Sequence, residues 1–105
     1  MNVIFIGENR PVYCSLTAAT GQIVPVSGTF ALYMDGVLQT GYPVATSGND
    51  SSGETVRWWY VLNTTTILPG DYTAVFTVQM SETDGISRTI ELPVELSIQL
   101  PAPLD

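Results

Sequence analysis

The chain has 105 residues, a formal charge of −7, and neither lysine nor histidine. These counts exclude a nucleic-acid binder, which needs a basic surface, and any site built on a histidine base, a histidine metal ligand or a catalytic lysine. Only 12% of the residues are charged, so solubility must rest on serine, threonine and the net negative charge.

The length suits one domain with a single hydrophobic core. We expect residues 1–100 to form this domain and residues 101–105 to be a proline-rich tail or linker. No apolar run approaches the ~18–20 residues of a membrane-spanning helix, so we predict no membrane insertion. The first residues lack the basic segment and long apolar stretch of an export signal, and we expect none in this chain.

Cys14 is the single cysteine, so the chain cannot form an internal disulfide. Without histidine, neither a zinc site nor an activated thiol is expected. We therefore predict that Cys14 is a small buried hydrophobe, and that the chain holds no metal and no cofactor.

Strands are predicted along the whole chain, because apolar and polar residues alternate with period two and no segment shows a helical period. Residues such as Val, Ile, Thr, Tyr, Phe and Trp, which favour strands, are abundant. In chain order the predicted strands are residues 3–6, 12–18, 23–26, 29–34, 37–39, 42–46, 55–62, 72–80 and 87–100.

Turn-forming residues separate these strands. Asp35-Gly36 between two apolar runs is a strong signal for a two-residue hairpin, and residues 47–53 predict a loop by composition. Pro25 suits an edge or a connection, and Pro93 an edge or a bulge, because proline cannot donate to a sheet. Further turns are predicted at residues 20–21, 69–71 and 81–85.

The strands have one apolar face each, and their turns recur at roughly the 8–12-residue spacing of sandwiches and barrels. No strand–helix alternation exists, which excludes a parallel α/β sheet. We therefore predict an all-β, antiparallel two-sheet sandwich of seven to nine strands. The alternation assigns to its core Val12, Leu16, Phe30, Leu32, Trp58, Tyr60, Tyr72, Phe76, Val78, Ile90, Leu92 and Leu96.

The run Leu68-Pro-Gly-Asp-Tyr72, followed by an alternating strand, resembles the corner of immunoglobulin-like domains. In those domains a corner tyrosine bonds back to nearby backbone, and Tyr72 matches it. Ala74 stands where antibody-type domains carry a cysteine, and their core tryptophan has no clear match. The resemblance thus implies an immunoglobulin-like β-sandwich without the disulfide, in which Cys14 packs against Ala74.

The layout of residues 8–98 also resembles the immunoglobulin-like N-terminal domains of phage baseplate and tail proteins. It is carried by Glu8-Asn-Arg-Pro-Val12 before the first core strand, by Pro-Gly-Asp-Tyr72, and by Thr83-Asp-Gly85 before the last strand. Such domains attach a fibre or binding protein to the particle. The resemblance implies a location on a virion or a cell surface, and another bacterial immunoglobulin-like module is the alternative.

Trp58-Trp59-Tyr60 is the most informative segment. Adjacent side chains of a strand point to opposite faces, so Trp59 faces outward if Trp58 and Tyr60 enter the core. It then either packs beneath a loop or a neighbouring arm, anchors a protein partner or stacks on a sugar ring. The candidate partner-binding residues, which share the outward sets of their strands, are Trp59, Arg57, Val61, Tyr13 and Tyr33.

No feature predicts an enzyme. The chain has no Gly-x-Ser-x-Gly segment, its acidic loops do not have the ligand spacing of an EF-hand, and most of its acids lie in turns. We predict a non-enzymatic structural or interaction module that mediates protein–protein assembly. Self-association is included, because lysine, the usual guard of sheet edges, is absent. The alternative is a carbohydrate-binding module using Tyr13, Tyr33 or Trp59.

Overall fold

A computed structural model of the chain describes residues 2–17, 23–52, 55–82 and 87–101. No helix long and apolar enough to cross a membrane occurs in this part. The predicted turn at residues 20–21, most of the turn at 81–85 and tail residues 102–105 lie outside the described residues. The strands are β1 Asn2–Phe5, β2 Asn9–Thr17, β3 Ile23–Met34, β4 Val37–Leu38, β5 Val44–Ala45, β6 Gly48–Ser52, β7 Thr55–Asn63, β8 Gly70–Glu82 and β9 Ser87–Gln99.

The strands form two sheets that pack face to face. The larger sheet has the order β1-β9-β8-β3-β4, with β5 also paired to β3, and the smaller sheet has the order β2-β7-β6. The all-β, two-sheet architecture is therefore confirmed. One pair differs from the antiparallel prediction, because β1 runs parallel to β9.

The core lies between the sheets, where the period-two alternation placed it. Phe30 is at its centre, with its ring stacked on Tyr60 at 4.5 Å and edge-on to Phe76 at 5.1 Å between ring centroids. The predicted core residues are buried, apart from four that are half-buried and pack against the others: Leu16, Tyr60, Ile90 and Leu92.

The segments 23–26 and 29–34 were predicted as two strands, but they form the single strand β3. Its pairing with β8 shifts register between Pro25 and Ser27, so a bulge replaces the predicted break. Pro25 lies where β3 pairs with β8 alone, since β4 and β5 join β3 only from Thr29 onward. Pro93 likewise precedes the stretch of β9 that pairs with β1. Both prolines thus occupy the predicted edge positions.

The prediction of a loop at residues 47–53 was wrong, because Gly48–Ser52 is the edge strand β6. Its composition is typical of a loop, but its contacts with β7 are specific. The Arg57 guanidinium donates to both carboxylate oxygens of Asp50, at 3.2 and 2.8 Å. Contacts with a neighbouring strand can override a weak local strand preference.

The two-residue hairpin at Asp35-Gly36 is confirmed between β3 and β4. Both residues have positive φ, 51° and 78°, as a type I′ turn requires.

The ends of the sandwich are held by side-chain bonds to the backbone. The Tyr72 hydroxyl donates to the Leu68 carbonyl oxygen at 2.7 Å, the bond that the resemblance implies. Cys14 and Ala74 both belong to the buried core. Ser97 alternates with the core residues Leu96 and Ile98, which predicts that it faces outward, but it is only 6% exposed, because β1 flanks it and the Gln99 amide donates to its Oγ.

Candidate contact surface

The outer face of the β2-β7-β6 sheet brings together four of the five predicted site residues. In the register of the sheet, Tyr13 on β2 lies opposite Trp59 on β7, and Trp59 lies opposite Gly48 on β6. We call this surface the Trp59 face. Its residues are Pro11, Tyr13, Ser15, Gly48, Asp50, Arg57, Trp59 and Val61.

The Trp59 indole lies along the sheet, above the backbone of β6. A Cβ atom placed on Gly48 would approach Cζ2 of Trp59 to 2.7 Å and Cε2 to 3.0 Å, so glycine is what allows the ring this position. Trp59 is consequently half-buried. One predicted alternative was that Trp59 packs beneath a loop. The ring packs instead against the edge strand β6, which is the segment predicted as a loop.

Tyr13 extends the aromatic surface across to β2. Its ring centroid lies 6.2 Å from that of Trp59 at an interplanar angle of 50°, and Tyr13 is 49% exposed. The two rings form one continuous aromatic strip across two strands. The alternation of each strand alone could not predict this strip, because the contact depends on the register between β2 and β7.

Arg57 and Asp50 border this strip as a neutral pair. The Arg57 guanidinium carbon lies 5.6 Å from the Tyr13 ring centroid, a cation–π contact. The hydrogen bonds from Arg57 lower the pKa of Asp50 below its ordinary value and raise the pKa of Arg57. At neutral pH the two opposite charges cancel within the Trp59 face.

Val61 completes the face beyond Trp59 and is 46% exposed. Its N–H donates to Ser47 Oγ at 2.9 Å, and the Ser47 N–H donates to the Trp59 carbonyl oxygen at 2.8 Å. These two bonds tie the segment entering β6 to β7 beside the aromatic strip.

Tyr33 lies elsewhere, on the outer face of the larger sheet. It borders a shallow groove of about 390 Å³ whose walls include Ala31, Pro43 and Val75. The structure therefore divides the five predicted residues between two opposite surfaces. Gly48 and Asp50, which complete the Trp59 face, were missed because their segment was predicted as a loop.

The described residues offer little reactive chemistry. Burial raises the pKa of the Cys14 thiol to about 11, so the thiol stays protonated at neutral pH. In the described ranges, no group of three or more Cys, Asp and Glu side chains is placed to hold a metal ion. What the Trp59 face provides is an aromatic surface on paired strands, whose two charged side chains form a neutral pair. No protein-family model, curated protein or solved structure matches this chain.

Proposed function

We propose that this chain is an immunoglobulin-like interaction module, without enzymatic activity, that mediates protein–protein assembly through the Trp59 face. The observation that carries this proposal is the strip formed by the exposed Tyr13 and the half-buried Trp59 on paired strands, bordered by the neutralised Arg57–Asp50 pair. Aromatic residues and arginine are enriched in protein interfaces, and the centres of interfaces are depleted in charge.

The strand order supports the immunoglobulin-like part of the proposal. In such domains the second, fourth and fifth main strands share one sheet, and the third joins the last two in the other. Here β2, β6 and β7 form one sheet, while β3, β8 and β9 lie in the other. The Tyr72 bond to Leu68 also fits. The first strand departs from the constant-type arrangement, since β1 pairs with β9 and not with β2.

The setting proposed for this module is a phage tail or baseplate, or a bacterial surface. It rests on the resemblance of residues 8–98 to domains that attach a fibre or binding protein to a phage particle. A contact surface built on paired strands suits that role, because residues that are already ordered lose less conformational entropy on binding than a loop does.

Carbohydrate binding is the second candidate, favoured by the same aromatic strip. Indole and phenol rings can stack on a sugar ring, with polar side chains nearby to bind its hydroxyls. However, two Arg57 nitrogens already donate to Asp50, which reduces the donors and acceptors available to a saccharide. The geometry therefore favours the protein contact.

Light scattering across a concentration series, with Trp59→Ala beside the wild type, tests the proposal. The wild-type mass should rise with concentration, and Trp59→Ala should reduce that rise because it removes half of the aromatic strip. Tyr33→Ala is the matched comparator, since it removes a ring from the opposite surface, and it should behave as the wild type.

A panel of saccharides, followed by tryptophan fluorescence, separates the two candidates. Trp58 is fully buried, so any response reports Trp59. The assembly proposal predicts no response. A saccharide that quenches the wild type but not Trp59→Ala would establish the carbohydrate module instead.

A further inference from the structure

The smaller sheet has an open edge along β2. β7 pairs with one side of β2 over its whole length, and no strand of the described part pairs with the other side. Beside the first half of this edge, residues 2–4 and 10–13 line an open groove of about 340 Å³ between the two sheets. The edge is thus accessible to another extended chain.

The hydrogen bonds around Ser47 establish which backbone groups of β2 face this edge. The Trp59 carbonyl and the Val61 N–H both point to the β6 side, where Ser47 binds them. Backbone groups alternate sides along a strand, so the N–H and carbonyl groups of Trp58 and Tyr60 point toward β2. Residues directly opposite each other in an antiparallel pair both point their backbone groups toward the partner strand or both away from it. On β2, the backbone groups opposite Trp59, Val61 and the other odd-numbered positions of β7 therefore point away from β7, toward the open edge. These outward residues are Pro11, Tyr13, Ser15 and Thr17.

This edge is guarded over only half of its length. Pro11 has no N–H to offer and blocks pairing at the first half. From Tyr13 to Thr17, every side chain is uncharged. The other long free stretches differ: β3 has Pro25 and a bulge, β9 has Glu91, Pro93 and Glu95, and the edge strand β6 carries Asp50. Among the described strands, residues 13–17 are thus the longest free edge without a charged residue, a proline or a bulge.

The charge of the chain narrows the choice of occupant for this edge. Two copies that each carry −7 can approach closely only where acidic side chains are absent or neutralised. Residues 13–17 carry none, and the neighbouring Asp50 is paired with Arg57. The outward groups are also symmetric about Ser15, so an antiparallel copy places Tyr13 opposite Thr17 and Ser15 opposite Ser15.

We propose that a second copy of this chain pairs antiparallel along β2, centred on Ser15, and joins the two smaller sheets into one six-stranded sheet. The twofold axis is perpendicular to this sheet, so both Trp59 faces lie on the same side, with the two Trp59 residues about 20 Å apart at standard strand spacing and rise. The functional meaning of this doubled surface rests on the proposed function, but the pairing itself does not.

Residue-resolved amide hydrogen exchange tests the pairing by its alternation. The amides of Tyr13, Ser15 and Thr17 face solvent in one copy and become bonded in the pair. Their exchange should slow by about tenfold or more between about 10 μM and about 1 mM protein, the range of weak contacts. The amides of Cys14 and Leu16 bond to β7 in either state, and their exchange should be the same at both concentrations.

Ser15→Pro should abolish this concentration-dependent protection. The Ser15 N–H faces the open edge, so proline removes an intermolecular donor and no bond to β7. Ser51→Pro is the matched control, because Ser51 has the same outward orientation on the opposite edge strand β6 and should leave the protection unchanged. Trp59→Ala should also leave it unchanged, which separates the edge from the Trp59 face.

Ser15→Cys tests the same register by trapping. In a bonded antiparallel pair the facing Cα atoms are about 5.5 Å apart, within the range that a disulfide spans. Mild oxidation should link Ser15→Cys into dimers, while Ser51→Cys and the wild type, with its buried Cys14, should remain largely unlinked.

The inference is overturned if Tyr13, Ser15 and Thr17 exchange at the same rate at both concentrations, or if Ser51→Cys links as readily as Ser15→Cys. Either result leaves the Trp59 face untouched. Conversely, a saccharide response at Trp59 would overturn the proposed function and not the pairing. The two failures are therefore distinguishable.

Discussion

Thr64 shows how a single side chain can hold two connections together. It is fully buried, and its hydroxyl accepts a hydrogen bond from the Gly7 N–H at 3.0 Å and lies 2.8 Å from the Glu8 carbonyl oxygen. These bonds attach the segment after β7 to the link between β1 and β2. Its role was not predictable, because threonine in a Thr-rich connection carries no local signal of burial.

Thr64→Val should lower the free energy of unfolding by about 2–3 kcal/mol, since an isosteric methyl leaves the Gly7 N–H and its neighbours without a partner. Chemical denaturation measures the loss. Thr64→Ser keeps the hydroxyl and should lose clearly less. Equal losses in the two variants would show that the methyl packing, and not the hydrogen bonding, is what stabilises this junction.

Cys14 should react slowly while the protein is folded. Its pKa is raised by burial from 9.0 to about 11, so at pH 8 the folded thiolate is about a hundredfold scarcer than in the unfolded chain. Iodoacetamide labelling should therefore be at least that much slower in the folded state. Its rate should keep rising up to about pH 11, whereas labelling of the unfolded chain should level off above 9.0. Equal native and denatured rates would contradict the burial.

At the scale of elements, the sequence predicted most where one face of a strand is buried and least where a strand depends on its neighbour. β8 follows its predicted core face, and β7 does so apart from the half-buried Tyr60, because alternation directly reports which side meets the core. β6 was missed, since Gly48 and Asp50 stabilise it only through Trp59 and Arg57 on another strand. The pairing of Tyr13 with Trp59 was likewise not predicted, because the sequence of one strand does not determine its register with the other.

Gly48→Ala tests the fit between β6 and the Trp59 indole. An alanine in place of glycine often stabilises a protein by about 0.4–1 kcal/mol. Here the new Cβ would clash with the Trp59 ring, so the substitution should destabilise the protein. We expect lower stability and a red-shifted tryptophan emission as Trp59 loses its cover, with Ser51→Ala on the same strand as control. An unchanged spectrum would mean that the ring does not depend on Gly48.

At the scale of the whole molecule, shape and charge limit how copies can meet. The molecule is elongated, with principal extents of 57 × 27 × 19 Å, and carries −7 overall. Two copies therefore repel each other through their net charge. The Trp59 face, with its paired Arg57 and Asp50, and residues 13–17 of β2 carry no net charge, so two copies can meet there without bringing like charges together.

Salt should accordingly strengthen association. Raising NaCl from about 20 mM to about 500 mM shortens the screening length from about 20 Å to about 4 Å and weakens the repulsion between two copies. Sedimentation at both salt concentrations should show a several-fold higher association constant at the higher one. Weaker association at high salt would point to an interface built on ion pairs, which the Trp59 face does not provide.

The most direct test of the Trp59 face is a dilution series followed by two-dimensional NMR of the backbone and indole N–H groups. Between about 1 mM and about 20 μM protein, the range of weak contacts, the resonances of Arg57, Trp59 and Val61 should shift together, and those of Trp58 and Tyr33 should stay in place. Shifts confined to the surface around Tyr33, or no shifts at any concentration, would contradict the account.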